Sequence, residues 1–238
     1  MPNKDGSLTF QTETNIFTKK GFIPIRDTQT LKLVGQFPTF GEKPHDCHLI
    51  ENGNVMAITN AGGPVDDKME MPSVTFVDIE TRKLLEKIEL DSHAFNTGHL
   101  AYENGDLVVV SAPREGLDEM SLGAVSIRKK NHKLVTMTNP ESITTKIYGE
   151  ALSVAIDPTK RIAAVTHPSG NLVTFWSIDA SALLNAVSLP HARGVVLNTN
   201  GKSFIITYGK EASLIEVDID TLLPVSYTHL TLPTNREV

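Results

Sequence analysis

Residues 44–63 read PHDCHLIENGNVMAITNAGG: a polar start, a short strand, a tight turn, a second apolar strand and a glycine-rich exit. Two apolar runs around a turn of the Glu-Asn-Gly type are typical of a β-hairpin. Variants of this unit recur along the chain. The repeat, rather than any single motif, therefore decides the fold.

The second strand of each unit sets the period. The starts of these apolar strands are separated by 47, 52, 55 and 42 positions, at Leu8, Val55, Leu107, Ile162 and Phe204. Propeller blades repeat about every 40 to 50 residues. A third apolar strand follows each second strand and in several cases ends in Asp and a Thr- or Ser-containing turn. A fourth strand comes next, such as residues 83–90, whose alternation of polar and apolar residues is typical of a half-exposed outer strand. The pattern predicts an all-β fold, a β-propeller of four-stranded antiparallel blades. A β-sandwich would not explain a four-strand repeat.

The repeat also predicts the extent of the domain. It accounts for four whole or nearly whole blades plus the last three strands of an earlier one, which predicts a partial propeller over residues 1–224 and an incomplete ring. Residues 225–238 break the rhythm and resemble a translated sequencing adaptor. We therefore expect this tail to be non-native and exclude it from the interpretation.

Composition limits the function classes. With 40% hydrophobic residues the chain can build a sizeable core, and the net charge of −6 with no basic stretch among aromatics predicts that nucleic acid is not a partner. No run approaches the roughly 20 apolar residues that a membrane span needs. Cys47, the only cysteine, cannot form an internal disulfide and is expected to be a buried small side chain.

Polar residues gather at one predicted end of the blades. The loops leading into first strands and those joining second to third strands share one face, where long polar loops usually bind the ligand of a propeller. The predicted ligand-binding residues on this face are His45, Asn60, Glu70, His99, Glu150, His167 and Arg193. For any single histidine, the alternative is a structural hydrogen bond between neighbouring blades.

A metal site is a further possibility. His45 and His48 are three apart on a strand and point to opposite faces, so joint chelation needs a bulge or a loop near residues 44–47. Histidines of different blades, such as His45 and His99, meet more easily. Neutral imidazole suits a transition metal such as iron, copper or zinc.

An ordered series of motifs carries a family likeness. The segments are GSLTFQTETN (6–15), PHD (44–46) with NAGG (60–63), MEMPS (69–73), HLA (99–101), and SVA (153–155) with HPSGN (167–171). Together they resemble the DUF1513 family of bacterial propellers, within the YVTN and quinoprotein amine dehydrogenase-like superfamily. The resemblance implies seven blades, about five of them present here, export to the periplasm and a link to iron-uptake proteins. It supplies no catalytic residues.

Three functions compete. The leading hypothesis is a non-enzymatic periplasmic propeller that binds a small ligand or metal ion in an iron-acquisition setting, with periplasmic iron-uptake proteins as partners. The second is a hydrolase of propeller lactonase type, with His99 or Glu150 as general base and Arg193 polarising a carbonyl. The third is a protein-interaction scaffold, which exposed aromatic side chains on the loop face would favour.

Overall fold

The computed structural model describes residues 1–65, 70–211 and 213–229. These residues form five four-stranded antiparallel sheets. The strands of the first are β1 (Leu8–Phe10), β2 (Glu13–Thr14), β3 (Lys20–Asp27) and β4 (Leu33–Glu42). β1 and β2 follow one another along the same edge of β3, and β4 pairs with its other edge.

The other four sheets each run in chain order from first to fourth strand. The second holds β5 (Pro44–Ile50), β6 (Val55–Asn60), β7 (Ser73–Asp78) and β8 (Leu84–Glu89). The third holds β9 (Leu100–Glu103), β10 (Asp106–Ser111), β11 (Ala124–Arg128) and β12 (Val135–Thr136). The fourth holds β13 (Val154–Asp157), β14 (Ile162–His167), β15 (Leu172–Ser177) and β16 (Ala182–Ser188), and the fifth β17 (Val195–Leu197), β18 (Ser203–Tyr208), β19 (Ser213–Asp218) and β20 (Pro224–His229).

The core lies between the sheets, because each central strand is buried on both faces. Along β10, Leu107 and Val109 enter the cluster shared with the second sheet, while Val108 and Val110 enter the cluster shared with the fourth. Alternate residues of a strand point to opposite faces, so one continuous apolar run supplies two cores. Four such clusters join the five sheets in sequence.

The inner strands bring the sheets together. Successive first strands lie side by side, β5 against β9, β9 against β13 and β13 against β17. This is the arrangement of propeller blades around an axis. The sheets of the described residues are not closed into a ring. The predicted all-β fold with four-stranded blades is confirmed.

A recurrent turn joins third and fourth strands. In three blades an aspartate accepts the backbone amide and the hydroxyl of a threonine three residues on, and the next residue has a positive φ: Asp27 with Thr30 and Leu31, Asp78 with Thr81 and Arg82, Asp218 with Thr221 and Leu222. The side-chain oxygen replaces a backbone acceptor and closes the turn locally. The turns predicted after the third strands are therefore present.

The long loop after β6 is fastened to the third blade. Arg114, only 2% exposed, donates from Nε to the carbonyl oxygen of Gly63 at 2.6 Å and from Nη2 to that of Glu70 at 3.3 Å. A buried guanidinium requires such acceptors because an unpaired charge is costly to bury. The loop thus belongs to one blade by sequence and is held by the next.

Details depart from the sequence-based expectation. β5 begins at Pro44, four residues before the expected His48, and a short helix, α1 (Glu141–Thr144), precedes the fourth blade. β20 extends past residue 224, so residues 226–229 pair with β19 after an irregularity at residue 225. Residues 230–238 of the expected tail and Met69 of the MEMPS motif lie outside the described residues. No helix in the described ranges has the length and apolar character that crossing a bilayer requires.

Candidate functional site

The candidate site is built where the inner strands begin. The amide of the fifth residue of β10, β14 and β18 donates to the carbonyl oxygens of His99, Ser153 and Gly194, at 3.0, 3.0 and 2.9 Å. These three residues therefore occupy equivalent positions in their blades. Asp46 occupies the same position in the second blade, because its amide donates to the hydroxyl of Thr59, the fifth residue of β6, as the Ser153 amide donates to that of Thr166.

A threonine hydroxyl ties each of two blades to its successor. Thr166 Oγ1 accepts the amide of Ser153 at 3.1 Å and donates to the carbonyl oxygen of Arg193 in the next blade at 2.6 Å. The Ser153 hydroxyl in turn accepts the amide of Val195 at 3.2 Å. This network, which we call the serine junction, satisfies the backbone groups at the start of β17.

The second blade repeats this arrangement with a carboxylate. Thr59 Oγ1 accepts the amide of Asp46 at 2.9 Å and donates to the carbonyl oxygen of Gly98 at 2.6 Å. Asp46 Oδ2 accepts the amide of Leu100 at 3.3 Å. We call this network the aspartate junction. Asp46 takes the structural place of Ser153 and adds a negative charge to it.

Asp46 also gathers two imidazoles. Its Oδ2 lies 3.1 Å from Nε2 of His48 and 3.3 Å from Nδ1 of His99, while its Oδ1 accepts the amide of Cys47 at 2.9 Å. Because a carboxylate only accepts hydrogen bonds, Nδ1 of His99 carries a proton and Nε2 remains free for other contacts. The register of β5 shifts between Pro44 and Cys47, which is the bulge that lets this segment turn its side chains.

These contacts shift the protonation equilibria in opposite directions. Burial opposes ionisation of Asp46, yet the hydrogen bonds from His48 and His99 hold the pKa of its carboxyl well below the usual range. The hydrogen bond to Asp46 raises the pKa of His99. His45 packs edge-on against His99 with ring centroids 4.8 Å apart, and burial together with the charge of His99 lowers the pKa of His45.

A cavity of about 350 Å³ runs along the starts of the inner strands of four blades. Asp46 and His99 line one end, Arg193 and Gly194 line the other, and Leu100, Leu152 and Val154 form an apolar middle. A pocket with an apolar body and a few polar groups at its ends is the usual form of a small-molecule site.

The structure brings four of the seven predicted site residues together. His99 and Arg193 line the cavity, His45 contacts His99, and Glu150 lies close enough to influence the charges of both histidines. Glu150 forms no hydrogen bond or ion pair with the described residues. These four residues come from four consecutive blades or the loops before them.

The other three predicted residues are used elsewhere. Asn60 is fully buried and donates from Nδ2 to Thr75 Oγ1 at 3.1 Å within the second blade, and that hydroxyl donates to the Thr39 carbonyl oxygen of the first blade at 2.7 Å. Glu70 pairs with Lys20 at 2.8 Å and with Lys87, which keeps its pKa low despite burial. These contacts are structural links between blades.

His167 lies inside the fourth blade. It is fully buried, its Nε2 lies 2.8 Å from Thr174 Oγ1, and its Nδ1 has no partner within the described residues. Burial lowers its pKa to about 3, so the ring is neutral. The sequence predicts His167 in or beside a loop, and it is the last residue of β14, one position before the loop. Its side chain points toward Thr174 and away from the cavity.

The metal prediction lacks a third ligand. In the described ranges, no three His, Cys, Asp or Glu side chains are grouped so that they could hold a metal ion. His45 and His99 do meet, as expected, through their rings. Nδ1 of His99 is occupied by Asp46, so metal binding there would use Nε2.

Asp46, His48 and Ser153 are not among the seven residues predicted to bind a ligand. Asp46 stands between two histidines in the PHDCH segment, a pattern that raises suspicion but gives no orientation. Ser153 has no chemical signature, and only the repeat register identifies it. Cys47 is buried as expected, and burial raises the pKa of its thiol to about 11.

Fold and site together define an all-β protein of propeller blades whose cavity, at the starts of the inner strands, has an apolar middle and polar ends. The chain belongs to the family described as Protein of unknown function (DUF1513), whose model matches residues 1–227. No curated protein matches the sequence.

Proposed function

We propose that the protein is a non-enzymatic ligand-binding propeller and that its small organic ligand occupies the cavity between Asp46 and Arg193. The observation that carries this proposal is the contrast between equivalent positions. A serine is sufficient to satisfy the backbone at one junction, whereas the other uses a carboxylate that also orients two imidazoles. Groups beyond the structural need, placed in a cavity, are typical of a binding site.

A fragment screen by ligand-observed NMR tests the proposal. Leu152→Trp fills the apolar middle of the cavity, and Leu184→Trp, at a residue 47% exposed on the outer strand β16, is the matched control. We expect saturable hits that Leu152→Trp abolishes and Leu184→Trp retains. A screen without saturable hits, or hits that survive in both variants, would overturn the proposal.

The cellular setting is part of the same proposal. Export to the periplasm, an association with iron-uptake proteins and membership of the YVTN-like superfamily rest on the family resemblance. The metal version predicts that Zn²⁺ or Cu²⁺ titration of the chelator-treated protein shows binding that weakens in His45→Ala and His99→Ala. Binding equal to that of the unmodified protein in both variants would contradict it.

A hydrolase is the second candidate, favoured by one specific observation. The Asp46 carboxylate fixes the proton of His99 on Nδ1, which leaves Nε2 as a base at the cavity wall, and Arg193 lies at the opposite end. An oriented imidazole and a cationic group suit general-base attack on a polarised carbonyl. Turnover of lactones or esters, lost in both His99→Gln and Arg193→Gln, would favour the enzyme over the binding protein.

A further inference from the structure

One arginine differs from all others in the described part of the chain. The side chains of Arg26, Arg82, Arg114, Arg128 and Arg161 each donate to a carboxylate or a carbonyl oxygen. Arg193 forms no side-chain hydrogen bond or ion pair with any described residue, although it lines the cavity. Its guanidinium is the free cationic donor of the site.

The backbone holds this arginine firmly. Its amide donates to the carbonyl oxygen of Thr207 at 2.9 Å, and its carbonyl oxygen accepts the Thr166 hydroxyl at 2.6 Å. The start of the side chain is therefore fixed by two neighbouring strands while its planar fork remains available. An Arg fork is well matched to two carboxylate oxygens, which it binds in bidentate fashion.

Asp46 is not available to bind a positively charged group of a ligand. Its two oxygens already accept the amides of Cys47 and Leu100 and face the rings of His48 and His99. A carboxylate with four donors has little remaining capacity as an acceptor. A polar group of a ligand at this end would instead meet Nε2 of His99, which the contact with Asp46 leaves unpaired.

The local charges limit the ligand to one negative charge. Asp46 is an anion, and Glu150 acts electrostatically on His45 and His99 from nearby. A second negative charge on the ligand would be repelled by these carboxylates, whereas a single one can be paired at Arg193. The apolar middle of Leu100, Leu152 and Val154 favours a hydrocarbon body.

We propose that the cavity binds a small organic monocarboxylate, with its carboxylate on Arg193 and its apolar body against Leu152. This inference rests on the proposed ligand-binding function and names the ligand class of that site.

Isothermal titration calorimetry with matched probes tests this class. The probes are hexanoate, benzoate and 4-phenylbutyrate, each beside the alcohol of the same carbon skeleton, with 4-phenylbutylamine and inorganic phosphate as charge controls. We expect at least one acid to bind at least tenfold more tightly than its alcohol, and the amine and phosphate to bind more weakly than the acid.

Variants locate the carboxylate. Arg193→Gln should weaken acid binding tenfold or more and leave alcohol binding unchanged, and Arg193→Lys should give an intermediate loss. Arg82→Gln, an exposed arginine that donates only to the Gln36 carbonyl oxygen, makes the same charge change away from the cavity and should have no effect.

The outcomes separate the two proposals. Acids that bind no better than alcohols, preferential binding of the amine or phosphate, or acid binding unaffected by Arg193→Gln would each overturn the monocarboxylate inference. If the fragment screen still gives hits that Leu152→Trp blocks, ligand binding stands and only the class fails. If neither the screen nor any probe gives saturable binding, both proposals fail.

Discussion

The aspartate junction and the serine junction solve the same structural problem with different chemistry. In both, a buried threonine hydroxyl bridges two blades, and a side-chain oxygen accepts an amide at the start of the next inner strand. Ser153 does only this, whereas Asp46 also carries a charge and holds two imidazoles. The hydrogen bonds common to both junctions are those that the fold requires, whereas the charge and the two imidazole contacts of Asp46 belong to the candidate site alone.

The largest expected effect breaks what the junctions share. Thr59→Val or Thr166→Val keeps the side-chain shape but removes the acceptor of one amide and the donor to one carbonyl oxygen. Unsatisfied buried polar groups cost about 1–3 kcal/mol each, so each variant should lower the free energy of unfolding by about 3 kcal/mol. Urea denaturation measures this. The exposed Thr159→Val should change it by less than about 0.5 kcal/mol, and a loss confined to one junction would refute the equivalence.

The second-largest expected effect is a pH dependence of stability. It concerns the residue that follows each junction threonine, which is Asn60 after Thr59 and His167 after Thr166. The pKa of His167 is about 3 in the fold and about 6.5 when unfolded. The unfolded chain therefore binds the proton first, so the stability is present above pH 6.5 and is lost as pH falls toward 3. Between pH 7 and 5 this should cost about 2 kcal/mol.

His167→Asn, which copies Asn60, should remove that part of the pH dependence. Denaturation curves at pH 7 and pH 5 measure the slope for both proteins. The matched control is His132→Asn, which removes a histidine at an exposed position and leaves the contact between His167 and Thr174 intact. An identical slope in His167→Asn would show that this histidine is not buried in its neutral form.

The smallest expected effect comes from a substitution that gives the aspartate junction the side chain of the serine junction. Asp46→Ser retains an acceptor for the Leu100 amide but removes the charge beside His99, so the pKa of His99, followed by NMR, should fall. The raised pKa of His99 stabilises the fold below pH 6.5 and this contribution is lost as pH rises through the folded pKa. The variant should therefore lose about 1 kcal/mol at pH 5.5, because the pair is partly exposed, and less at pH 8. Asp118→Ser should leave the His99 titration unchanged.

The sequence predicts the blades well because their signal is repeated. Apolar runs such as residues 107–110, turn aspartates such as Asp78 and the spacing of the units all constrain the same fold. Errors concentrate where the period-two rule fails. The bulge after Pro44 moves the start of β5 and changes which residues of PHDCH face the cavity.

The site is only partly predictable for the same reason. His45, His99, Glu150 and Arg193 come together because their blades begin at one end, a property that repeat counting detects. His167 and Asn60 occupy the same end, yet their side chains point between strands toward Thr174 and Thr75. A shift of one residue along the strand decides whether a side chain lines the cavity or is buried in a contact between strands. Amino-acid composition does not detect a shift of that size.

The Arg114 contact bears on how such a chain can grow by duplication. A second blade copied alone would carry the carbonyl oxygens of Gly63 and Glu70 without the arginine that donates to them, and a third blade copied alone would carry Arg114 without those acceptors. The contact therefore couples the second blade to the third, and a duplicated segment keeps it only when it includes both. Such a segment retains a buried charge with its acceptors, whereas a boundary between the two blades separates them.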